Sequence, residues 1–143
     1  MTTTDRAPTM LETLGFHRRV SMEAGRATVE FMAGAHMCHS GGVVQGGFVT
    51  GWIDSAMAHA VLGLRLPDTV PLSLEVKVSF FAPVRPGLVI AEGWIERSGK
   101  STCFTEGLLR DTAGAVLAKG SSTIRLAALS KVAEGSRAAL AGR

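Results

Sequence analysis

One stretch of the chain concentrates groups that could carry out acyl chemistry. It runs His39-Ser40-Gly41-Gly42-Val43-Val44-Gln45-Gly46-Gly47, and a helical pattern begins at its end. The first N–H groups of a helix have no partner inside the helix, and they carry partial positive charge. Glycine lets another group approach this backbone closely. Gly46 and Gly47 could therefore bind a carbonyl oxygen that gains negative charge, as an oxyanion hole does.

Asp54 is the second feature that indicates chemistry, because it lies inside the apolar helical segment. It is the only Asp, Glu, Lys or Arg between Glu30 and Arg65. A mid-helix Asp is a poor helix former and is costly to bury without a partner. It could simply face water or pair with a cation, and the glycines could simply form a tight turn.

Hydrophobic periodicity indicates the elements that hold these residues. Apolar residues between positions 46 and 64 follow helical spacing and form one broad face. Alternating segments with turn residues between them predict strands over residues 16–21, 26–32, 72–80, 88–96, 102–110 and 115–126. The helix can hide its apolar face only against a sheet. We therefore expect an α+β fold, with an antiparallel sheet wrapped around one long central helix.

Length and composition fit a single domain. The chain has 143 residues, of which 46% are apolar and 19% charged; this excludes disorder as its main state and allows a core of its own. We expect a flexible N-terminus over residues 1–8, the folded domain over 9–126, and a flexible, at most weakly helical tail over 127–143. No apolar run is long enough to span a membrane, and the first ten residues contain no signal-like apolar region. The expected compartment is the cytoplasm.

Charge and cysteine content exclude two further classes of partner. Fifteen Lys and Arg against twelve Asp and Glu give a net charge of +3, without a dense basic cluster and without any Tyr. This argues against nucleic acid, although a mild positive surplus suits a ligand that carries phosphates. Cys38 and Cys103 form no CxxC motif, and the group His36, Cys38 and His39 lacks a fourth ligand. No metal site is expected.

The spacing of the glycine stretch and Asp54 resembles a known family signature. The hotdog-fold acyl-CoA thioesterases of the phenylacetate-pathway (PaaI-type) branch carry Asn, two residues, Gly, two residues, His-Gly-Gly, six residues and Asp. The matching positions here are His39, Gly42, Gln45, Gly46, Gly47 and Asp54. Residues 76–87, 97–101 and 111–114 also resemble the family, so the likeness covers about residues 10–126.

Two positions depart from this signature. His39 stands where the family has Asn, and Gln45 stands where it has His. A His can still donate a hydrogen bond and can exchange protons near neutral pH. Gln45 keeps an amide donor and acceptor but has no titrating group. These departures bear on substrate range and rate more than on the fold.

The resemblance implies an enzyme that hydrolyses an acyl-CoA thioester without a metal or organic cofactor. The thioester carbonyl would bind the Gly46 or Gly47 N–H, and Asp54 would activate water or attack the carbonyl itself. His39 and Gln45 would belong to the catalytic group. Ser73 matches a Ser/Thr position that assists with water, although strand alternation alone also explains a polar residue there.

The phosphates of coenzyme A should meet cations at the entrance of the site. Arg97 and Lys100 flank a predicted hairpin turn and are the first candidates, with Arg85 next; solvated loop charges are the alternative. Phe81, with Phe48, Trp52 and Phe80, could line a pocket for an aryl or medium-chain acyl group, or could belong to the core. The sequence does not identify the acyl group.

Family members work as dimers, often paired into tetramers, with the acyl site between subunits. The resemblance therefore implies a homodimer or homotetramer. A non-catalytic acyl-CoA binding module is a second hypothesis, supported by the altered His39 and Gln45 and opposed by Asp54. An enoyl-CoA hydratase on the same fold ranks last, because no carboxylate lies between Glu30 and Asp54.

Overall fold

Six strands form one antiparallel sheet, and a seventeen-residue helix lies across it. The computed structural model describes residues 6–142. The elements in chain order are α1 (Met10–Thr13), β1 (Phe16–Glu23), β2 (Arg26–Ala33), β3 (Cys38–His39), β4 (Val43–Val44), α2 (Gly46–Leu62), β5 (Thr69–Phe80), β6 (Gly87–Ser98), β7 (Thr102–Arg110), β8 (Val116–Ala128) and α3 (Leu129–Ala141). The sheet has the order β1-β2-β6-β7-β8-β5, and β3 and β4 form a separate small pair. This confirms the predicted single hotdog domain.

The predicted elements are all present, with bounds that differ by a few residues. The central helix ends at Leu62 and is capped by Gly63, two residues before its predicted end. The hairpin between β1 and β2 turns through Ala24 and Gly25, both with positive φ (54° and 75°), as a tight two-residue turn requires. The short pair β3–β4 was not predicted, because two-residue strands leave no periodic signal.

The two ends of the chain have local structure. Residues 1–5 of the predicted flexible N-terminus lie outside the described residues. Thr9 and Glu12 form a reciprocal capping box at α1. The C-terminal tail is helical as α3, which buries none of its side chains. Its first turn is held by Asp68, whose carboxylate accepts from the Ser130 N–H (2.9 Å) and Oγ–H (2.8 Å).

The core lies between α2 and the inner face of the sheet. Trp52, Ile53, Ala56 and Met57 are fully buried there. Trp52 stacks on Phe31 with ring centroids 6.1 Å apart, and its indole N–H donates to the Leu14 carbonyl oxygen (2.7 Å). Trp52 is therefore a core residue.

A row of three glycines lets the helix approach the sheet closely. Gly93, Gly107 and Gly120 stand directly opposite one another on β6, β7 and β8. A Cβ at Gly93 would overlap the backbone of Ala56 and Met57, and one at Gly107 would lie 2.9 Å from the Ile53 side chain. A side chain at Gly93 or Gly107 would push α2 away from the sheet, whereas one at Gly120 would first meet the Lys77 carbonyl oxygen on β5 (2.8 Å).

We expect Gly93→Ala to lower the free energy of unfolding by about 2–3 kcal/mol, because a methyl group there meets helix backbone that cannot rotate aside. Gly135→Ala is the matched control, since nothing lies within 4 Å of its added Cβ and alanine favours a helix. Urea denaturation compares the two. Equal stabilities of G93A and G135A would contradict the close approach.

His59 is a buried titratable group on the same helix. Its Nδ1–H donates to the Ser55 carbonyl oxygen (2.7 Å). Burial lowers the pKa of His59 below its ordinary value; the bond to Ser55 opposes this, and the charge of Arg19 adds to it. The folded state therefore favours the neutral ring.

The unfolded chain takes up a proton at the ordinary histidine pKa of about 6.5, before folded His59 does. Stability is therefore full above this pH and is lost as the pH falls below it, toward the lowered folded pKa. We expect the urea midpoint to fall between about pH 8 and pH 5, and His59→Gln to flatten this dependence. Exposed His17→Gln is the control. A slope that survives in H59Q would disprove the assignment.

Candidate active site at the start of the central helix

The two glycines at the start of α2 differ in what their N–H groups bind. Gln45 is the N-cap residue, and its side-chain Oε1 accepts from the Gly47 N–H (2.7 Å). Within residues 6–142 the Gly46 N–H has no hydrogen-bond acceptor. Of the two predicted oxyanion donors, Gly46 is therefore available and Gly47 is occupied by the neighbouring amide.

An apolar groove of about 380 Å³ begins beside Gly46. It is lined by Val43, Val44, Gly46, Val49, Phe80, Phe81, Ala82, Pro83 and Val84. The ring of Phe80 lies 3.2 Å from the position that a Cβ of Gly46 would occupy. Phe80 and Phe81 remain 55% and 60% exposed. The groove thus joins the free N–H to a surface that a ligand could cover.

Asp54 lies on the half-exposed side of α2 and binds one side chain. Ser73 Oγ–H donates to Asp54 Oδ1 at 2.6 Å. An irregularity in the pairing of β5 with β8 between Ser73 and Glu75 turns Ser73 toward the helix, opposite the buried Ile124. No cation lies within 4.0 Å of Asp54 among residues 6–142. The carboxylate is therefore held by a hydroxyl group, and the ion pair considered from the sequence is not formed.

Gly46 and Asp54 do not meet in one chain. Eight residues separate them on α2, which is more than two turns and about 12 Å along the helix axis. A nucleophile in a productive complex lies about 3–3.5 Å from the atom it attacks, and an oxyanion donor about 3 Å from the oxygen. One thioester carbonyl cannot contact both groups of the same helix directly.

His39 lies next to Val43, a residue of the groove wall, but does not itself line the groove. It pairs directly with Val43 in the β3–β4 hairpin, so the two side chains share a face. Its Nδ1 lies 2.8 Å from the Ser40 carbonyl oxygen. A carbonyl can only accept, so Nδ1 carries the proton, and Nε2 of the neutral ring is an acceptor. His39 is exposed and free to contact a ligand at the groove.

The predicted coenzyme A contacts fall into two groups. Phe81 lines the groove, and exposed Arg85 follows its last lining residue. Arg97 and Lys100 flank the β6–β7 turn at the other end of the sheet. Just before this turn, the Ile95 N–H donates to the carbonyl oxygen of Gly25, which lies in the β1–β2 hairpin beside the C-terminal end of α2. Within one chain, Arg97 and Lys100 therefore do not reach the start of α2.

Some site residues could not be read from the sequence. Val43, Val44, Val49 and Val84 line the groove, but an apolar residue gives no signal that separates a pocket wall from the core. Among the aromatic residues, Phe80 and Phe81 reach the groove, whereas Phe48 packs on Trp52 with centroids 6.4 Å apart.

Two other classes of site are absent from residues 6–142. In that part of the chain no three His, Cys, Asp or Glu side chains converge on a point that could hold a metal ion. Nor does any helix within it have the length and apolar character needed to cross a membrane.

Comparison with known proteins places this fold and site in a class. A family model described as the Thioesterase superfamily matches residues 41–118, more than half of the chain. A curated protein of Saccharolobus solfataricus that carries an esterase name is 29% identical over 101 residues, 70% of this chain and 71% of that protein.

Solved structures agree with this match. A protein from Ralstonia eutropha JMP134, named as a thioesterase and as phenylacetic acid degradation-related, is 28% identical, with a TM-score of 0.74, over 83% of this chain and 92% of its own. A hypothetical thioesterase from Streptococcus pneumoniae TIGR4, solved with coenzyme A, has a TM-score of 0.72 and 15% identity, over 78% of this chain and 88% of its own, which shows the shared fold.

The fold and the family match define a hotdog thioesterase. The chain belongs to the Thioesterase superfamily and is an enzyme of that class, similar to the phenylacetic acid degradation-related branch, as the sequence predicts.

Proposed function

We propose that the chain hydrolyses an acyl-CoA thioester to the free acid and coenzyme A. The observation that carries this proposal is the bond between Ser73 and Asp54, which aligns one carboxylate oxygen and leaves the other for chemistry. The solved thioesterase with coenzyme A supports the choice of thioester. The mechanism needs no metal or organic cofactor.

The geometry supports a simple sequence of steps. The thioester oxygen accepts from the Gly46 N–H, which stabilises the charge that develops there. Asp54 takes a proton from water while the water oxygen forms a bond to the carbonyl carbon. The tetrahedral intermediate collapses, the C–S bond breaks, and the proton returns to the thiolate of coenzyme A. Direct attack by Asp54, with hydrolysis of the resulting mixed anhydride, is the alternative.

Gln45 and His39 have supporting roles in this proposal. Gln45 holds the Gly47 N–H with its Oε1, so its side-chain NH₂ is left as a donor beside the thioester oxygen. The His39 Nε2 is an acceptor at the groove, where the family has Asn. These residues adjust the binding of the thioester and the water, whereas Asp54 performs the proton transfer.

The active site is completed by a second copy of the chain in this proposal. One copy supplies the Gly46 N–H and the groove, and the other supplies Asp54 and Ser73, because one helix holds the two groups about 12 Å apart. The long edge strand β5 offers the pairing surface, and its Leu74 is 62% exposed. A two-fold axis there would bring the Arg97–Lys100 turn of one copy toward the α2 start of the other, where coenzyme A enters. Dimer and dimer-of-dimers both satisfy this geometry.

Replacing Asp54 with Asn tests its role as the general base, and thiol release by the wild-type protein separates the enzyme from a binding module. We expect D54N to lower kcat/KM about 10²- to 10⁴-fold, because it removes the general base. Ser73→Ala should cost about 10-fold, the effect of one hydrogen bond to a charged group. Free-thiol release from a panel of acyl-CoAs is the measurement, and the exposed Glu134→Gln is the control. Full activity in D54N would show that Asp54 is not the general base, whereas wild-type protein that binds the acyl-CoAs without releasing thiol would favour the binding module.

Replacing Gly46 tests its backbone N–H without disturbing the helix. Proline removes the N–H and is well accepted at a first helical position, and Gln45 already has the extended backbone that precedes proline (φ −63°, ψ 138°). Gly46→Ala keeps the N–H and adds the same Cβ beside Phe80. We expect G46P to lower kcat about 10²- to 10³-fold and G46A far less. Equal losses would assign the effect to the Phe80 contact.

Mixed dimers test whether the site is shared between copies. Co-expression of D54N and G46P with different tags should yield heterodimers in which one of two sites is intact. Random pairing should restore about a quarter of the wild-type activity, although each variant alone is inactive. A site formed within one chain would remain inactive in every mixture.

A further inference from the structure

We infer that the groove beside Gly46 is the acyl pocket and that it selects hydrocarbon acyl groups without a polar or charged substituent. The inference rests on the proposed thioesterase function and names the substrate class that this function leaves open. It follows from the composition of the groove wall, from the hydrogen bonds behind that wall, and from the position of Phe80.

The groove wall contains no polar side chain. Its side chains come from valine, phenylalanine, alanine and proline, with Gly46 at one end. Of these residues, Val44, Val49 and Val84 are buried. A hydroxyl or carboxylate placed among them, away from the Gly46 end, would find no side-chain donor or acceptor within this wall.

The backbone behind the wall offers few donors, because they are already paired. The Val44 N–H donates to the Val84 carbonyl oxygen (2.8 Å). The N–H groups of Phe81 and Ala82 both donate to the Leu117 carbonyl oxygen (2.8 and 3.1 Å). Pro83 has no N–H. The oxygen of a carboxylate or hydroxyl substituent would therefore lose water without finding a free donor among these groups, which is unfavourable.

These properties distinguish the two arms of the thioester. The pantetheine arm carries two amides and a hydroxyl, which need hydrogen-bond partners, whereas a hydrocarbon acyl arm needs none. The Phe80 ring covers Gly46, so a carbonyl bound at the Gly46 N–H sits where the apolar wall begins. The acyl arm therefore enters the groove, and pantetheine leaves toward the polar surface. A volume of about 380 Å³ is large enough for a ring or a medium chain.

The first experiment compares substrates matched in shape. Thiol release is measured for phenylacetyl-CoA against 4-hydroxyphenylacetyl-CoA, and for hexanoyl-CoA against adipoyl-CoA. We expect kcat/KM to fall roughly 10- to 100-fold with the hydroxyl and more than about 100-fold with the carboxylate. Equal rates within both pairs would overturn the inference and leave the thioesterase intact. Release from none of the four would instead count against the proposed function.

A variant pair tests whether the groove itself produces this selectivity. Val43→Thr places a hydroxyl in the wall with little change of shape, and Val116→Thr makes the same change at an exposed position that does not line the groove. We expect V43T to reduce the preference for phenylacetyl over 4-hydroxyphenylacetyl by about 3- to 10-fold, the effect of one new hydrogen bond. V116T should keep the wild-type ratio. An unchanged ratio in V43T would place the acyl group elsewhere.

A second copy of the chain is the other possible occupant of the groove. Phe81→Ser, with light scattering and the substrate ratio measured together, separates the two cases. A lower molecular mass with an unchanged ratio would make the groove a protein interface and would overturn the inference. An unchanged mass with a smaller preference for the hydrocarbon acyl group supports the acyl pocket.

Discussion

The close approach of α2 to the sheet is the constraint on which the rest of the structure depends. The row of Gly93, Gly107 and Gly120 presents no side chains to the helix, and the helix backbone around Ala56 packs against this row. This contact sets the depth of the helix, and with it the height of Asp54 above the sheet. Because packed interiors do not deform continuously, a small displacement here would be passed on to both ends of the helix.

The edge strand β5 supplies the side chains that contact the candidate site residues of this helix. Its irregular pairing near Ser73 brings a hydroxyl to Asp54, and its last residue places an aromatic ring over Gly46. One strand therefore contacts the carboxylate and the helix N-terminus, which lie about two turns apart. The same strand has an open edge along its length. A chain that holds its two reactive groups apart and exposes the strand between them is suited to a shared site.

Within residues 6–142, the glycine-rich start of α2 has one occupied and one free backbone donor. With Gln45 as the N-cap, the Gly47 N–H is satisfied by a side chain, and Gly46 keeps the free donor. The amide therefore selects which of two adjacent glycines can bind a carbonyl. His39, tied to the Ser40 carbonyl, likewise presents a defined ring nitrogen. Both departures from the family signature leave the site with ordered polar groups.

Local patterns in the sequence determined the elements and the candidate catalytic groups: the helical spacing from residue 46 to 64, the alternation of the strands, and Gly46 eight positions before Asp54. These features act over a few neighbours, so a sequence displays them directly. The tertiary structure decided which groups meet. Four features depend on contacts between distant segments. They are the partner of Asp54, the row of three glycines, the apolar groove, and the separation of Arg97 and Lys100 from the start of α2. No local period records such contacts, and a valine that lines a pocket has the same pattern as a valine in the core.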